Sequence, residues 1–173
     1  TFAQANLMKL FYENKDYPNS IVYAEKVLNN SKTDDNVKSD AQIIIARAAI
    51  QTGDEAKAHS AYAKLQTIAQ GELAAEALYY EAYFKNKDAK FETSNEIVQK
   101  LAKNYSGYKF FGAKGLILMA KNFYGLKDSF QATYILDSVI QNFTDFPDVV
   151  SEAKTELDRI KSEESKTNSS ITN

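Results

Sequence analysis

The chain has 173 residues, 44% hydrophobic and 12% aromatic without a single Trp, and its 21 Lys+Arg against 23 Asp+Glu leave a formal net charge of −2. No run approaches the roughly 18 apolar residues of a membrane-spanning helix, and the absence of Cys removes disulfides, thiolate nucleophiles and zinc–thiolate sites in either a reducing or an oxidising compartment. Arg47 and Arg159 are the only arginines and the lysines do not cluster, so the forked guanidinium groups and basic patches that read nucleic acid are missing, and no nucleic-acid partner is expected.

Sustained period-2 alternation and Asn-Gly or Asp-Gly hairpin turns are absent, whereas apolar residues recur at spacings of three and four, as in Leu7 and Phe11 or Leu116, Met119, Ala120 and Phe123. This pattern predicts an all-α protein. Ala3, Leu7 and Phe11 open the first helix without an initiator Met or a charged and apolar leader, so the chain reads as processed or excised, with more protein expected before it. Helices are predicted at 3–14, 18–30, 37–51, 54–69, 72–86, 90–104, 109–124, 128–142 and 147–164. Asp16-Tyr17-Pro18 closes the first helix and starts the second, because proline has no N–H to lose in a first helical turn. Gly53-Asp54 does the same through a left-handed closing residue followed by a side-chain cap. Gly125 to Asp128 repeats that device, and Asn86-Lys87-Asp88 takes its place in the third hairpin.

The segment from Pro147 carries Val150, Ala153, Leu157 and Ile160 on one face and Glu152, Lys154, Glu156 and Asp158 on the others. A terminal unit with a polar outer side reads as a capping helix. The polar remainder, residues 165–173, is expected to be disordered.

A 12-residue interval joins small or slender residues across each turn: Met8 to Ser20, Ala46 to Ala58, Ala82 to Ser94 and Ala120 to Ala132. The second members recur at intervals of 38, 36 and 38 (58−20, 94−58, 132−94), a period that means stacked structural units. Such a layout favours a binding surface over a catalytic pocket.

A helix-turn-helix unit with small residues 12 apart and a large apolar residue four further on resembles the tetratricopeptide repeat. Ala46 with Ala58 and Tyr62, Ala120 with Ala132 and Leu136, and the turn Gly53-Asp54-Glu55-Ala56-Lys57-Ala58 carry the likeness. It covers residues 3–142. Met8, Ser20 and Ser94 depart from the family's small residues, and Glu81 and Lys85 stand where apolar sites are expected. The resemblance implies a right-handed α-solenoid of about four hairpins with a C-terminal capping helix. Residues 1–164 would form the repeat domain, in units 3–36, 37–70, 72–106 and 109–144 with the cap at 147–164. The units exceed the family's usual length, and the ending Asn142-Phe143-Thr144-Asp145-Phe146-Pro147 looks like that of envelope-associated bacterial members, which favours a periplasmic or outer-membrane-associated location over the cytoplasm.

Catalytic chemistry has little support. His59 is the only histidine and lies mid-helix without a nucleophile motif nearby. Asp34-Asp35 lacks the glycine and spaced carboxylates of a calcium loop and reads as solvated linker, as Glu163-Glu164 does. Gly107, Gly112 and Gly115 have no following Lys-Ser or Lys-Thr and no preceding strand, so they do not form a phosphate loop. No enzyme activity, cofactor or metal site is expected.

In the resembling family the first helix of each hairpin lines a concave groove. One position past the small residue come Lys9, Arg47, Tyr83 and Lys121; four past come Tyr12, Ile50, Asn86 and Tyr124, and Tyr79 precedes Tyr83 by one turn. Lys9, Tyr12, Arg47, Tyr79, Tyr83, Asn86, Lys121 and Tyr124 are therefore the candidate partner-binding residues, the rings supplying rigid area and the cations charge pairing. Several of these tyrosines would equally fill gaps between hairpins. The expected function is a non-enzymatic scaffold for a protein or peptide partner, the alternative being a structural spacer or a module that self-associates through its N-terminal repeat.

Overall fold

The computed structural model describes residues 2–172; Thr1 and Asn173, the outer ends of the expected repeat domain and tail, lie outside the described residues. Among the described residues all regular structure is helical: α1 (Phe2–Glu13), α2 (Tyr17–Asn29), α3 (Asp35–Thr52), α4 (Glu55–Gln66), α5 (Gly71–Lys87), α6 (Phe91–Asn104), α7 (Lys109–Gly125), α8 (Ser129–Asn142) and α9 (Pro147–Ile171). The chain divides into two compact units, Thr1–Tyr80 and Glu81–Asn173, the division falling within α5. In the first, α1 packs on α2, α2 on α3 and α3 on α4; in the second, α6 packs on α7, α7 on α8 and α8 on α9.

The turns show why the chain reverses where it does. Lys15, Gly53, Ala89 and Lys127 adopt left-handed backbone at φ 61, 75, 57 and 67°. Their spacing repeats that of the small residues, 38, 36 and 38 (53−15, 89−53, 127−89). After each, an N–H reaches back five positions to a carbonyl: Asp16 to Phe11 (2.8 Å), Asp54 to Ala49 (3.0 Å), Lys90 to Lys85 (2.9 Å) and Asp128 to Phe123 (2.9 Å). This closes the preceding helix in a Schellman-type turn. The same residue then opens the next helix. Asp16, Asp54 and Asp128 accept the amides of Asn19, Lys57 and Gln131 at 3.3, 3.1 and 3.1 Å, whereas Lys90 offers no side-chain cap.

All eight residues of the 12-residue intervals are 0% exposed. Small side chains there let paired helices approach, and Ser94 Oγ donates to the Ala82 carbonyl directly at 2.8 Å. Each second helix adds a buried pair three positions apart: Ala24/Val27, Tyr62/Leu65, Val98/Leu101 and Leu136/Val139. The first helix of the next hairpin meets that pair closely. A Cβ on Gly115 of α7 would stand 3.2 Å from Leu101 and 3.3 Å from Val98 of α6.

Helix α9 repeats the register of α7 one period later. The face that α7 builds from buried Ala113, Ile117 and Ala120 becomes Ser151, Thr155 and Asp158 in α9, all exposed. The helix then runs on to Ile171, where a disordered tail is expected from 165. No Gly or Pro interrupts it, and hydroxyls bond to carbonyls about one turn back, Thr167 to Glu163 at 3.1 Å and Ser169 to Ser165 at 2.9 Å.

Candidate functional site

The candidate residues stand at fixed places on the first helices, and the structure gives each cation among them a carboxylate. Lys9 pairs with Asp40 at 2.7 Å. Arg47 pairs with Glu76 through Nε at 3.0 Å and Nη2 at 2.8 Å. Lys121 lies 3.9 Å from Glu152, which also accepts Lys114 at 2.8 Å. The sequence separations are 31, 29 and 31 (40−9, 76−47, 152−121), and each acid lies on the first helix that follows the cation's hairpin. Within each unit the candidate ridge thus pairs opposite charges between successive first helices, as rungs of a ladder. Lys9 and Asp40 are half exposed, so solvent screens their attraction. The forked contact to Glu76, whose side chain is only 7% exposed, is the strong rung.

Around that rung lies an aromatic cluster. Tyr62 donates its hydroxyl to Glu76 Oε2 at 2.8 Å and stacks on Tyr80 with centroids 4.3 Å apart. Burial and then the Glu76 charge push the Tyr62 hydroxyl far above its ordinary value. Tyr12 rests edge-on against Tyr17 at 5.7 Å; burial raises its hydroxyl, and nearby Arg47 opposes the shift. The hydrogen bond to Glu76 holds the Arg47 guanidinium in its charged form against the opposing effect of burial. Tyr79 is buried, its ring edge-on to Tyr80 at 5.0 Å.

In the second unit Asn86 donates to Asn122 Oδ1 at 2.8 Å, and Asn122, fully buried, donates in turn to Ser94 Oγ at 2.8 Å and Asn95 Oδ1 at 2.9 Å. Tyr83 meets Phe84 edge-on at 5.3 Å, with Lys87 Nζ 5.4 Å over its ring. Tyr124 donates to Glu163 at 2.7 Å, Arg159 bonds Glu163 at 2.8 Å, and the Arg159 guanidinium stands 5.4 Å over the Tyr124 ring. The Tyr124 and Arg159 bonds hold the exposed Glu163 carboxyl below its ordinary value.

The first unit therefore gathers Tyr12 and Arg47, the second Lys121 and Tyr124 on α7 and Asn86 beside that helix. Glu76, Tyr62, Asn122, Glu152 and Arg159 complete these groups and are missed by sequence reasoning. A signal for three of them exists in the register: Glu76 and Glu152 lie six positions before the small-residue site, and Arg159 lies one period (159−121) after Lys121. Asp34, read from sequence as solvated linker, caps α3 by accepting the Asn36 amide at 2.8 Å. His59 is exposed on α4.

Among the described residues no group of three His, Cys, Asp or Glu side chains is placed to hold a metal ion, and no helix is long and apolar enough to cross a membrane. The surface clefts include one of about 390 Å³ beside α2, α3 and α4, edged by the Lys57–Glu25 ion pair, and one of about 730 Å³ between α8 and α9, edged by Phe130. Among the described residues all regular structure is thus helical, and one hairpin turn recurs four times. No protein-family model and no curated protein matches the chain.

Proposed function

We propose that the chain is a non-enzymatic scaffold of tetratricopeptide type, a right-handed solenoid of four hairpins with α9 as its cap, that binds a protein or peptide partner along its first helices. The observation that carries this reading is the turn repeated at Lys15, Gly53, Ala89 and Lys127, with the left-handed residue and the back-bonded amide alike in all four. Like turns give each hairpin the same internal reversal, the repeated unit from which an extended recognition surface is built.

The ladder refines what such a surface would recognise. Its cations are already neutralised, so a purely acidic peptide gains little from them, and recognition falls to half-buried rings such as Tyr83 with exchange of weak rungs such as Lys121–Glu152. The test is affinity capture from the native lysate with the chain and its Tyr83→Ala/Lys121→Ala variant, followed by cross-link mapping on the captured protein. A partner captured by the chain, cross-linked to α5 or α7 and lost from the variant at unchanged melting temperature supports the reading. Equal capture by both proteins removes the ridge from consideration.

A further inference from the structure

The cleft of about 390 Å³ beside α2, α3 and α4 lies wholly within the first unit, and none of the candidate ridge residues lines it. Gln42 of α3 forms part of its wall. Only 7% of that residue is exposed, and its side chain's one hydrogen bond, from Nε2 to the Ala61 carbonyl, is stretched to 3.5 Å. Among the described residues the amide oxygen accepts no hydrogen bond, and it is not sealed in as the unpartnered Thr33 Oγ1 is, so it opens onto the cleft. A buried amide left half satisfied is costly unless a group from outside completes it. The residues that make the cleft are particular to this hairpin. Ala61 stands where α2, α6 and α8 carry Tyr23, Ile97 and Ile135 (61−38, 61+36, 61+74), and Gln42 where α5 and α7 carry Leu78 and Leu116 (42+36, 42+74). In the hairpin of α7 and α8, Leu116 and Ile135 both pack against the core cluster. Here the small Ala61 leaves that room open. Helix α1 repeats the glutamine as Gln4, but without the small residue, since α2 carries Tyr23 at that place.

We propose that this cleft binds a short extended peptide segment carrying an acidic side chain. Gln42 reads the main chain of one residue, its amide oxygen accepting the N–H and its nitrogen donating its second hydrogen to the C=O. Half-buried Leu28 and buried Ile45 supply an apolar wall for a flanking side chain. The preference for an acid comes from Lys64. Lys57 is neutralised by Glu25 at 2.7 Å, whereas Lys64 has no ion-pair partner among the described residues, so the cleft keeps a net positive charge that suits a carboxylate. Its volume falls at the small end of the roughly 300–1,000 Å³ of ligand sites, which fits a segment of a few residues rather than a folded surface.

The test titrates the full isotope-labelled chain with acetyl-Val-Asp-Val-amide and with its Val-Asn-Val counterpart, both capped so that no terminal charge remains, and follows the amide resonances by NMR. Saturable shifts of the Gln42 side-chain amide and of α3 and α4 are expected at millimolar peptide, with the acidic peptide bound about threefold more tightly. Gln42→Leu, which borrows the residue of α7, should weaken both peptides by about tenfold. Ala61→Ile, which borrows that of α8, should abolish binding by filling the cleft. Lys64→Ala should remove the preference for the acidic peptide and leave the neutral one unchanged; as an exposed position it carries the test even where a buried variant fails to fold. No saturable shift, binding that survives Gln42→Leu and Ala61→Ile in folded variants, or the same shifts from sodium acetate alone overturns the proposal. Shifts centred on α5 and α7 would assign the peptide to the ridge and overturn it equally.

Discussion

Arg47 and Glu76 hold each other through two parallel hydrogen bonds of 3.0 and 2.8 Å that join α3 to α5. Their exposures are unequal: the guanidinium side chain is 44% accessible and the carboxylate side chain 7%. Removing the arginine therefore strands a buried negative charge, while removing the carboxylate releases a cation that water reaches. Arg47→Ala is expected to lower stability by about 3 kcal/mol, with Glu76→Gln costing less because the amide oxygen still accepts the Tyr62 hydroxyl. Urea unfolding of the two variants measures the difference. A smaller loss for Arg47→Ala than for Glu76→Gln would show that the carboxylate is hydrated.

Tyr62 ties the same carboxylate to high-pH stability. Its folded-state hydroxyl lies above the unfolded value of about 10, through burial first and the Glu76 charge second. A raised folded pKa gives stability that is complete below about pH 10 and is lost as pH climbs beyond it, because the unfolded chain ionises there and the folded chain resists. Tyr62→Phe, which keeps the ring against Tyr80, should flatten the fall in stability above pH 10 by up to about 1.4 kcal/mol per pH unit. Denaturation curves between pH 8 and 11 compare the slopes.

Three of the four hairpin turns place a residue with a Cβ in left-handed backbone, at Lys15, Ala89 and Lys127. Glycine takes that conformation without steric cost, as Gly53 does. Ala89→Gly is expected to raise stability by about 0.5 kcal/mol and Gly53→Ala to lower it by about 1 kcal/mol. Opposite signs in thermal unfolding are the signature; equal signs would mean the turn relaxes to another shape.

Lys90 opens α6 at the place where Asp16, Asp54 and Asp128 cap their helices, yet makes no side-chain cap bond. Lys90→Asp should supply the missing acceptor for a first-turn amide and raise stability by about 1 kcal/mol. A melting-temperature comparison with Lys90→Ala separates the cap from mere loss of the lysine, since Ala cannot accept a hydrogen bond.

Asn122 sits fully buried, its amide bonded to Asn86, Ser94 and Asn95. Asn122→Ala leaves three polar groups short of a partner and should cost about 2–3 kcal/mol. In a double-mutant cycle, Asn122→Ala with Asn95→Ala should cost less than the sum of the single changes. Strict additivity would show that water replaces the lost bonds.

Much of the fold is readable along the chain because its causes are local. Apolar spacing at three and four, Asp16, Asp54 and Asp128 at caps, and Gly53 at a left-handed position act over one or two turns of helix, so the helices fall within three residues of their predicted bounds except at the end of α9. The small residues 12 apart carry the same information one level higher, since only residues that close could meet across a short turn. The pairing of the ridge is a different matter. Arg47, Lys9 and Lys121 read from sequence as cations available to a partner, and each instead has a carboxylate on the next first helix, Glu76, Asp40 and Glu152. Glu76 and Asn122 look from sequence like ordinary polar helix residues; one is the buried acceptor for Arg47 and Tyr62, the other the hub of a buried amide network. Periodicity states which face of a helix turns inward but not which side chain of another helix comes within hydrogen-bonding reach of it, because hydrogen bonds and ion pairs depend on the placement of whole helices and decay over a few ångströms.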